Sequence, residues 1–147
     1  MSEFAGPGDS PGFLLWRVTR RWQRELTAAL KPLELTHVQF VLLASAWWLE
    51  RPTQRELADQ AGTDPMMTSQ VVRGLEKRGL IERRPDPSDG RARRLVVTRR
   101  GRALAERAVR VVEAADREFF DAAGADGDSE RLVTMLRRLA GPNLRAH

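Results

Sequence analysis

The sequence predicts a mainly α-helical fold that carries one small β-hairpin. Along most of the 147 residues, apolar side chains recur every three or four positions, which is the period of an amphipathic helix. Residues 80–98 break this period, because two short runs rich in branched side chains flank a turn-forming stretch of proline, aspartate and glycine. A chain of this length favours one domain, so we expect helices and hairpin to share it.

Two apolar stripes predict long helices near the amino terminus. The first helix runs from Phe13 to Leu30 and ends before Pro32, which cannot continue it. The second begins at Thr36, whose hydroxyl can cap it, and reaches Trp48. Because the second stripe is unusually wide, that helix should be mostly buried. The apolar positions are Leu15, Val18, Trp22, Leu26, Ala29 and Leu30, then Phe40, Val41, Ala44, Trp47 and Trp48.

Two short helices should then meet across a tight turn. Thr53 and Glu56 fit a capping box, which begins a helix that ends near Gln60. Gly62 can end this helix in the left-handed region. The next helix can begin with Thr63 or Asp64 as its cap and with Pro65, preset for the first turn.

The second short helix, from Pro65 to about Arg78, is a candidate for the major groove. A helix-turn-helix needs this helix exposed, since the major groove of B-DNA admits one helix whose early residues reach base edges. Gln70 could pair with adenine and Arg73 with guanine or phosphate. We expect Met67, Val71, Val72 and Leu75 to point inward, and Met66, Thr68, Ser69, Gln70 and Arg73 outward, with Thr68 and Ser69 reaching phosphate or base. Alternatively, the two helices merely fill a core.

Arginines concentrate on the hairpin, whose strands we expect at Leu80–Arg84 and Arg93–Thr98. Residues 81–102 hold eight arginines and three acidic residues, and this excess of five equals the net charge of the whole chain. Clustered arginine beside an outward-facing polar helix is the electrostatic footprint of duplex DNA binding. In the chain as a whole, arginine also far outnumbers lysine, which favours polyanion recognition, although nucleotide bias in the source genome is an alternative.

The tip of the hairpin offers a second candidate contact. Asp89 and Gly90 supply turn chemistry, and Arg91 stands where a side chain could enter a minor groove. Asp89 could aim Arg91 through a salt bridge. The alternative is that Asp89 and Gly90 only form the turn and that the arginines only aid solubility. This alternative is plausible for Asp89 and Gly90, but it explains the cluster of Arg91, Arg93 and Arg94 less well.

The carboxy-terminal third predicts two further helices. Thr98 can cap a long fifth helix, and Gly124, Gly127 and Asp128 interrupt it before a final one. Their apolar stripes are Ala103, Leu104, Ala108, Val111, Val112, Ala115 and Phe119, then Leu132, Met135, Leu136 and Leu139. The end helices expose more apolar surface than a small domain can cover, which predicts a homodimer. We therefore divide the chain into a flexible arm at 1–12, a dimerisation helix at 13–35, a DNA-binding region at 36–102 and dimerisation helices at 103–147.

Composition excludes several other functions. With no cysteine, the chain can form no disulfide or thiolate nucleophile and cannot sense oxidation through a thiol. Two isolated histidines, His37 and His147, argue against a zinc site. No nucleophile with a base, phosphate-binding glycine loop or metal constellation stands out, so we expect neither an enzyme nor a cofactor. No apolar run of membrane-spanning length and no secretory signal stand out, so we expect a cytoplasmic protein.

From Asp89 to Thr98, the sequence Asp-Gly-Arg-Ala-Arg-Arg-Leu-Val-Val-Thr resembles the Asp-x-Arg and Leu-Thr pattern of the MarR family of winged helix-turn-helix regulators. Residues 75–83, Leu-Glu-Lys-Arg-Gly-Leu-Ile-Glu-Arg, precede it as they do in that family, and Val97 replaces the usual leucine. The resemblance implies a dimer on a palindromic operator, with Arg91 in a minor groove and residues 65–73 in a major groove. Pro65-Met66-Met67 departs from the more polar residues common there.

The resemblance also implies a cleft for a small molecule, often an aromatic or phenolic acid, between the dimer helices and the DNA-reading lobe. Aromatic walls and a cation would suit such a ligand. The first two helices offer the aromatic side chains Trp16, Trp22, His37, Phe40, Trp47 and Trp48, with Arg17 and Arg21 as possible carboxylate partners. From these we select Trp16, Arg17, His37, Phe40 and Trp48 as the candidate effector contacts. Alternatively, the tryptophans belong to the core or dimer interface, and His37 caps a helix or lies at the surface. We expect a repressor that an effector releases; the other reading is an architectural protein that coats DNA without choosing a sequence.

Overall fold

The computed structural model describes residues 3–124, 128–142 and 144, so Gly127 and His147 lie outside the described residues. As predicted, the fold is mainly helical with a single two-stranded antiparallel hairpin in the described part of the chain. Its elements are α1 (Pro11–Leu30), α2 (His37–Leu49), α3 (Gln54–Ala61), α4 (Pro65–Lys77), β1 (Ile81–Asp86), β2 (Asp89–Val97), α5 (Arg99–Asp121) and α6 (Asp128–Leu139).

Side-chain caps fix where the helices begin. Thr36 forms a capping box with Gln39, and Thr53 forms one with Glu56. The second box is the one that the sequence predicts. The Asp64 carboxylate accepts the backbone N–H of Met67 in α4 at 2.8 Å, and the Thr98 hydroxyl accepts that of Gly101 in α5 at 3.0 Å. Between α3 and α4, Gly62 lies in the left-handed region at a φ of 70°. The tight joint between the two short helices is therefore confirmed.

The amino terminus is more ordered than expected. Residues 7–9 form a 3₁₀ turn, and α1 begins at Pro11 rather than at Phe13. Ser10 accepts the backbone N–H of Phe13 at 3.4 Å, and proline is preset for a first helical turn. The first helix therefore begins two residues earlier than predicted and includes the end of the segment 1–12 that we expected to be a flexible arm.

The larger core lies between α2, α3, α4, the hairpin and the start of α5. Its fully buried side chains include Leu42, Leu43, Leu57, Val72, Leu75, Leu80, Ile81 and Leu95. On α2 the most buried face is formed by Leu42, Leu43 and Ala46, whereas Trp48, expected inside, is 42% exposed. Because α2 is apolar on every side, its sequence cannot show which face is covered.

A second core joins α1 to α5. Leu26 and Leu30 of α1 pack with Leu35, Ala108 and Val112, and Trp22 and Phe40 cover its edge. The amino-terminal half of α1 and all of α6 remain outside both cores. Their exposed apolar side chains are Phe13, Leu14, Leu15, Trp16, Val18, Val133, Met135, Leu136 and Leu139. The predicted stripe of α1 is thus buried only in its second half.

Gly101 is the tightest point between the hairpin and α5. A Cβ atom there would overlap the backbone carbonyl of Leu80 and lie 3.0 Å from a methyl group of Val97. We expect Gly101→Ala to lower the free energy of unfolding by about 1–3 kcal/mol, because backbone must move to relieve the clash.

Gly74→Ala is the matched control, since a Cβ atom on that helical residue would meet nothing within 4 Å. It should raise stability by about 0.5–1 kcal/mol, the usual gain from alanine inside a helix. Urea unfolding of both variants measures the difference, and equal stabilities would contradict the close approach at Gly101.

Candidate nucleic-acid interface

The exposed face of α4 differs from the prediction at two positions. Met66, Gln70 and Arg73 are exposed and Ser69 is half-exposed. Thr68, expected outside, is fully buried, while Met67, expected inside, is 43% exposed. The buried stripe of α4 runs through Thr68, Val72 and Leu75, whose spacing of four and three residues places them on one helix face.

Thr68 is buried because its hydroxyl is satisfied inside the turn. It donates to the backbone oxygen of Asp64 at 2.8 Å and shares a 2.6 Å hydrogen bond with the hydroxyl of Thr63. Thr63 and Thr68 therefore fasten the joint between α3 and α4. Thr68 is removed from the predicted DNA contacts, since its polar atom has no path to a ligand.

The hairpin is longer than predicted. Its register runs from Ile81 opposite Val97 to Asp86 opposite Asp89, with only Pro87 and Ser88 between the strands. Asp89 and Gly90 therefore lie in β2 and do not form the turn. The Asp86 carboxylate organises the turn instead, because it accepts both the backbone N–H and the hydroxyl of Ser88, at 2.9 and 2.8 Å.

Asp89 holds Arg91 through the backbone. Its carboxylate accepts the N–H of Arg91 at 3.0 Å, and within the described chain no ion pair joins the carboxylate to the guanidinium. The predicted salt bridge is therefore wrong. The guanidinium of Arg91 is exposed and has no carboxylate partner among the residues that the structure describes, which leaves it available to a polyanion.

Arg94 ties the hairpin to the helix-turn-helix. Its guanidinium donates to Asp86 at 2.8 Å, to Glu56 at the start of α3 at 2.9 Å and to the backbone oxygen of Arg51 at 3.2 Å. Two hydrogen bonds from Ser88, together with the bond from Arg94, lower the pKa of the Asp86 carboxyl to about 2. The carboxylate is consequently charged throughout the neutral range.

Arg83, on strand β1, connects the hairpin to the helices by a second set of hydrogen bonds. It donates to Glu76 of α4 and to the side-chain oxygen of Gln54 of α3, each at 2.8 Å. We call Arg83 and Arg94, with their side-chain partners, the wing latch. Both arginines hold the hairpin to α3, and Arg83 also holds it to α4, so the hairpin keeps a fixed orientation beside the exposed face of α4.

The arginines of residues 81–102 fall into two groups. Arg83, Arg84, Arg94 and Arg102 each pair with a carboxylate in the structure. Arg91, Arg93, Arg99 and Arg100 are exposed and have no carboxylate within 4.0 Å among the described residues. These four carry the uncompensated positive charge, on β2 and at the start of α5.

The predicted effector residues do not form one site in a single chain. His37 and Phe40 are half-buried near the α1–α5 contact, whereas Trp16 and Arg17 lie on the exposed half of α1. Trp48 stands eleven residues after His37 on α2, about 16 Å along the helix axis. Two surface grooves, of about 540 and 310 Å³, are lined by other residues.

Around His37, the structure places Trp22, one of the aromatic candidates, and adds Asp116, which was not among the predicted contacts. The rings of Trp22 and His37 pack in a T-shaped arrangement with their centroids 5.0 Å apart, and the indole N–H of Trp22 donates to Asp116 at 2.8 Å. Burial lowers the pKa of His37, and the charge of Asp116 partly opposes this shift. Asp116 could have been noticed, since it follows Val112 by four residues on the apolar stripe of α5.

Two negative findings concern the described residues alone. None of their helices combines the length and the apolar character that crossing a bilayer requires. Nor do they bring together three histidine, aspartate or glutamate side chains as a metal site would.

Comparison with known proteins gives a consistent picture. The model of the MarR family matches residues 35–92. The chain is 48% identical, over 83% of its length and 86% of the relative's, to YdcH of Bacillus subtilis, an uncharacterized HTH-type transcriptional regulator. It is 42% identical, over 74% of its length and 78% of the relative's, to the HTH-type transcriptional repressor Rv2887 of Mycobacterium tuberculosis.

Solved structures resemble the whole chain. CouR of Rhodococcus jostii, bound to p-coumaroyl-CoA, is 31% identical with a TM-score of 0.86 and covers 97% of this chain and 100% of its own. Rv2887 in complex with salicylic acid is 35% identical with a TM-score of 0.73, and the match covers 95% of this chain and 99% of Rv2887. A mutant of Escherichia coli MarR, complexed with operator DNA, is 27% identical with a TM-score of 0.79, and the match covers 88% of this chain and 93% of the mutant.

The lowered pKa of Asp86 leads to a test of the hairpin turn. The carboxylate stabilises the fold above the pKa of an unfolded aspartate, about 3.9, and this contribution is lost as the pH falls through about 2. In an NMR titration the Asp86 carboxyl carbon should still report the ionised form at a pH of about 3. Half-protonation near the ordinary aspartate pKa would contradict the hydrogen bonds from Ser88 and Arg94.

Proposed function

Since the chain belongs to the MarR family of transcriptional regulators, we propose that it binds operator DNA as a homodimer and represses transcription until an aromatic acid releases it. One observation carries the DNA-binding part of the proposal. The exposed face of α4 and the uncompensated arginines of β2 belong to elements that the wing latch joins. A rigid pair of such elements fits adjacent grooves of a duplex.

Within this proposal, α4 reads the major groove. Gln70 and Arg73 are exposed and lie three residues apart, so they share a helix face and can reach neighbouring base pairs. Ser69 is half-exposed beside them and suits a phosphate. Pro65 and Thr63 shape the start of the helix. Their role is to aim the exposed side chains.

The hairpin supplies the minor-groove contact. Arg91 is exposed and its backbone is fixed by Asp89, so the side chain extends from an ordered strand. Arg93 is exposed on the same strand, where a phosphate would neutralise it. Insertion of arginine is favoured by the enhanced negative potential of a narrow minor groove.

Homodimerisation would cover the apolar side chains that one chain leaves in water. Most of the exposed large apolar side chains lie in the first half of α1 and in α6, within the segments 13–35 and 103–147 that we assign to dimerisation. A second copy related by a two-fold axis would cover both faces and present two copies of α4, with region 36–102 contacting DNA. A two-fold protein dimer matches a palindromic operator.

The effector site would be built around His37 and Phe40. Both are half-buried between the pairing helix α1 and the DNA-reading lobe, with Trp22 and Asp116 beside them. CouR and Rv2887 were crystallised with p-coumaroyl-CoA and salicylic acid, which are aromatic acyl compounds. Trp16 and Arg17 lie on the exposed half of α1, so they could reach such a ligand only across the dimer. Trp48 is too far along α2 to join this site.

Selection from a random duplex pool tests the DNA-binding proposal. The selected duplex should bind at least about a thousandfold more tightly than a scrambled duplex at the same salt concentration. It should contain an inverted repeat, and light scattering should show a dimer. Equal affinities for the two duplexes would instead indicate a protein that coats DNA without choosing a sequence.

Arg91→Ala should weaken binding to the selected duplex by about 1–3 kcal/mol, because the wing loses its groove contact. Arg110→Ala removes the same charge from the middle of α5, about 18 Å along the helix from its cap, and should change affinity far less. Fluorescence anisotropy at fixed salt measures both variants. Equal losses would show that Arg91 contributes only general charge.

Salicylate should release the selected duplex from the wild-type protein. His37→Ala should weaken salicylate binding by about tenfold, or about 1.4 kcal/mol, while DNA binding is kept. Trp48→Ala is the control at the far end of α2 and should leave salicylate binding unchanged. Calorimetry with salicylate, followed by anisotropy with DNA, separates the two effects. Equal salicylate affinities in the two variants would place the ligand away from His37.

A further inference from the structure

The first turn of α4 exposes an apolar side chain where polar ones would be expected. Met66 is 73% exposed, although the rest of that helix face is polar. An exposed methionine side chain is apolar surface in contact with water, and burying its methylene and methyl groups on binding would lower the free energy. A function at an interface would account for its position.

The helix geometry places Met66 with the proposed base readers. Gln70 follows it by four residues and Arg73 by seven, so the three side chains form one exposed row. The buried row through Thr68, Val72 and Leu75 lies on another face. Met66 is therefore the amino-terminal member of the same face that would enter a major groove.

The surroundings of Met66 disfavour a phosphate in its place. Pro65 has no backbone N–H to donate, and the N–H of Met67 already binds the Asp64 carboxylate at 2.8 Å, so two of the first three backbone positions of α4 have no N–H for a phosphate. The negative charge of Asp64 beside this turn also repels a phosphate. The start of α4 is therefore better suited to contact an apolar group of a base than a phosphate.

We propose that Met66 contacts the C5-methyl group of a thymine and so makes the regulator prefer a thymine at one position of each half-site. The thymine methyl is the apolar group that the bases of unmodified DNA present in the major groove. The inference rests on the proposed operator binding, and it names a base that α4 selects. Gln70 and Arg73 would read neighbouring base pairs by hydrogen bonds.

Deoxyuridine scanning tests the inference, because deoxyuridine lacks only the methyl group of thymine and keeps its hydrogen-bonding edge. Each thymine of the duplex selected from the random pool is replaced in turn. The wild-type protein should lose about fourfold in affinity at one symmetric position, as expected for one apolar group no longer buried. With Met66→Ala, the thymine and deoxyuridine duplexes should bind equally at that position.

Arg110→Ala is the control here too, because Arg110 is exposed in the middle of α5, away from α4 and from the apolar faces that we assign to the dimer. This variant should keep the wild-type loss at the deoxyuridine position. If the wild-type protein selects no duplex, the proposed function fails and the inference with it. If it selects a duplex but tolerates deoxyuridine everywhere, or if Met66→Ala keeps the full loss, the inference is overturned while the proposed function stands.

Discussion

The interaction on which the rest of the structure depends is the set of hydrogen bonds made by the Arg94 guanidinium. It joins the carboxylate that shapes the hairpin turn, a carboxylate at the start of α3 and the backbone of the preceding loop. A further backbone hydrogen bond of 2.8 Å, from Leu95 to the oxygen of Pro52, runs alongside it. Planar guanidinium groups suit this task because they donate in several fixed directions at once. The hairpin therefore keeps its orientation relative to α4.

This arrangement changes the meaning of the arginine excess. Four of the eight arginines in residues 81–102 pair with carboxylates of the same chain, and two of these form the wing latch. Some of the arginines in this segment therefore hold the structure together, and the others lie exposed where a ligand can reach them. The four exposed arginines without such partners are the ones that DNA phosphates would neutralise.

One continuous helix connects the DNA-reading lobe with the region around His37. α5 begins beside the hairpin, where Thr98 caps it and Gly101 lies against Leu80. About 27 Å further along, Asp116 of the same helix accepts the hydrogen bond of Trp22. A ligand that separated α1 from α5 would therefore act on an element that also supports the hairpin. The two functions would be linked if effector and DNA favoured different positions of this shared helix.

The sequence by itself determined the order of helices and hairpin, the helix caps and the family, because these depend on local spacing and on short motifs. Thr53 and Glu56 are an example, since a capping box involves only residues within one turn. Only the tertiary structure decided that Thr68 is buried and Met67 exposed, and that Arg94 bonds to Asp86 across the hairpin and to Glu56 of α3. These outcomes depend on partners distant in sequence or on a rotation of the helix by one residue. Periodicity alone allows either rotation, and charge counts cannot distinguish a paired arginine from a free one.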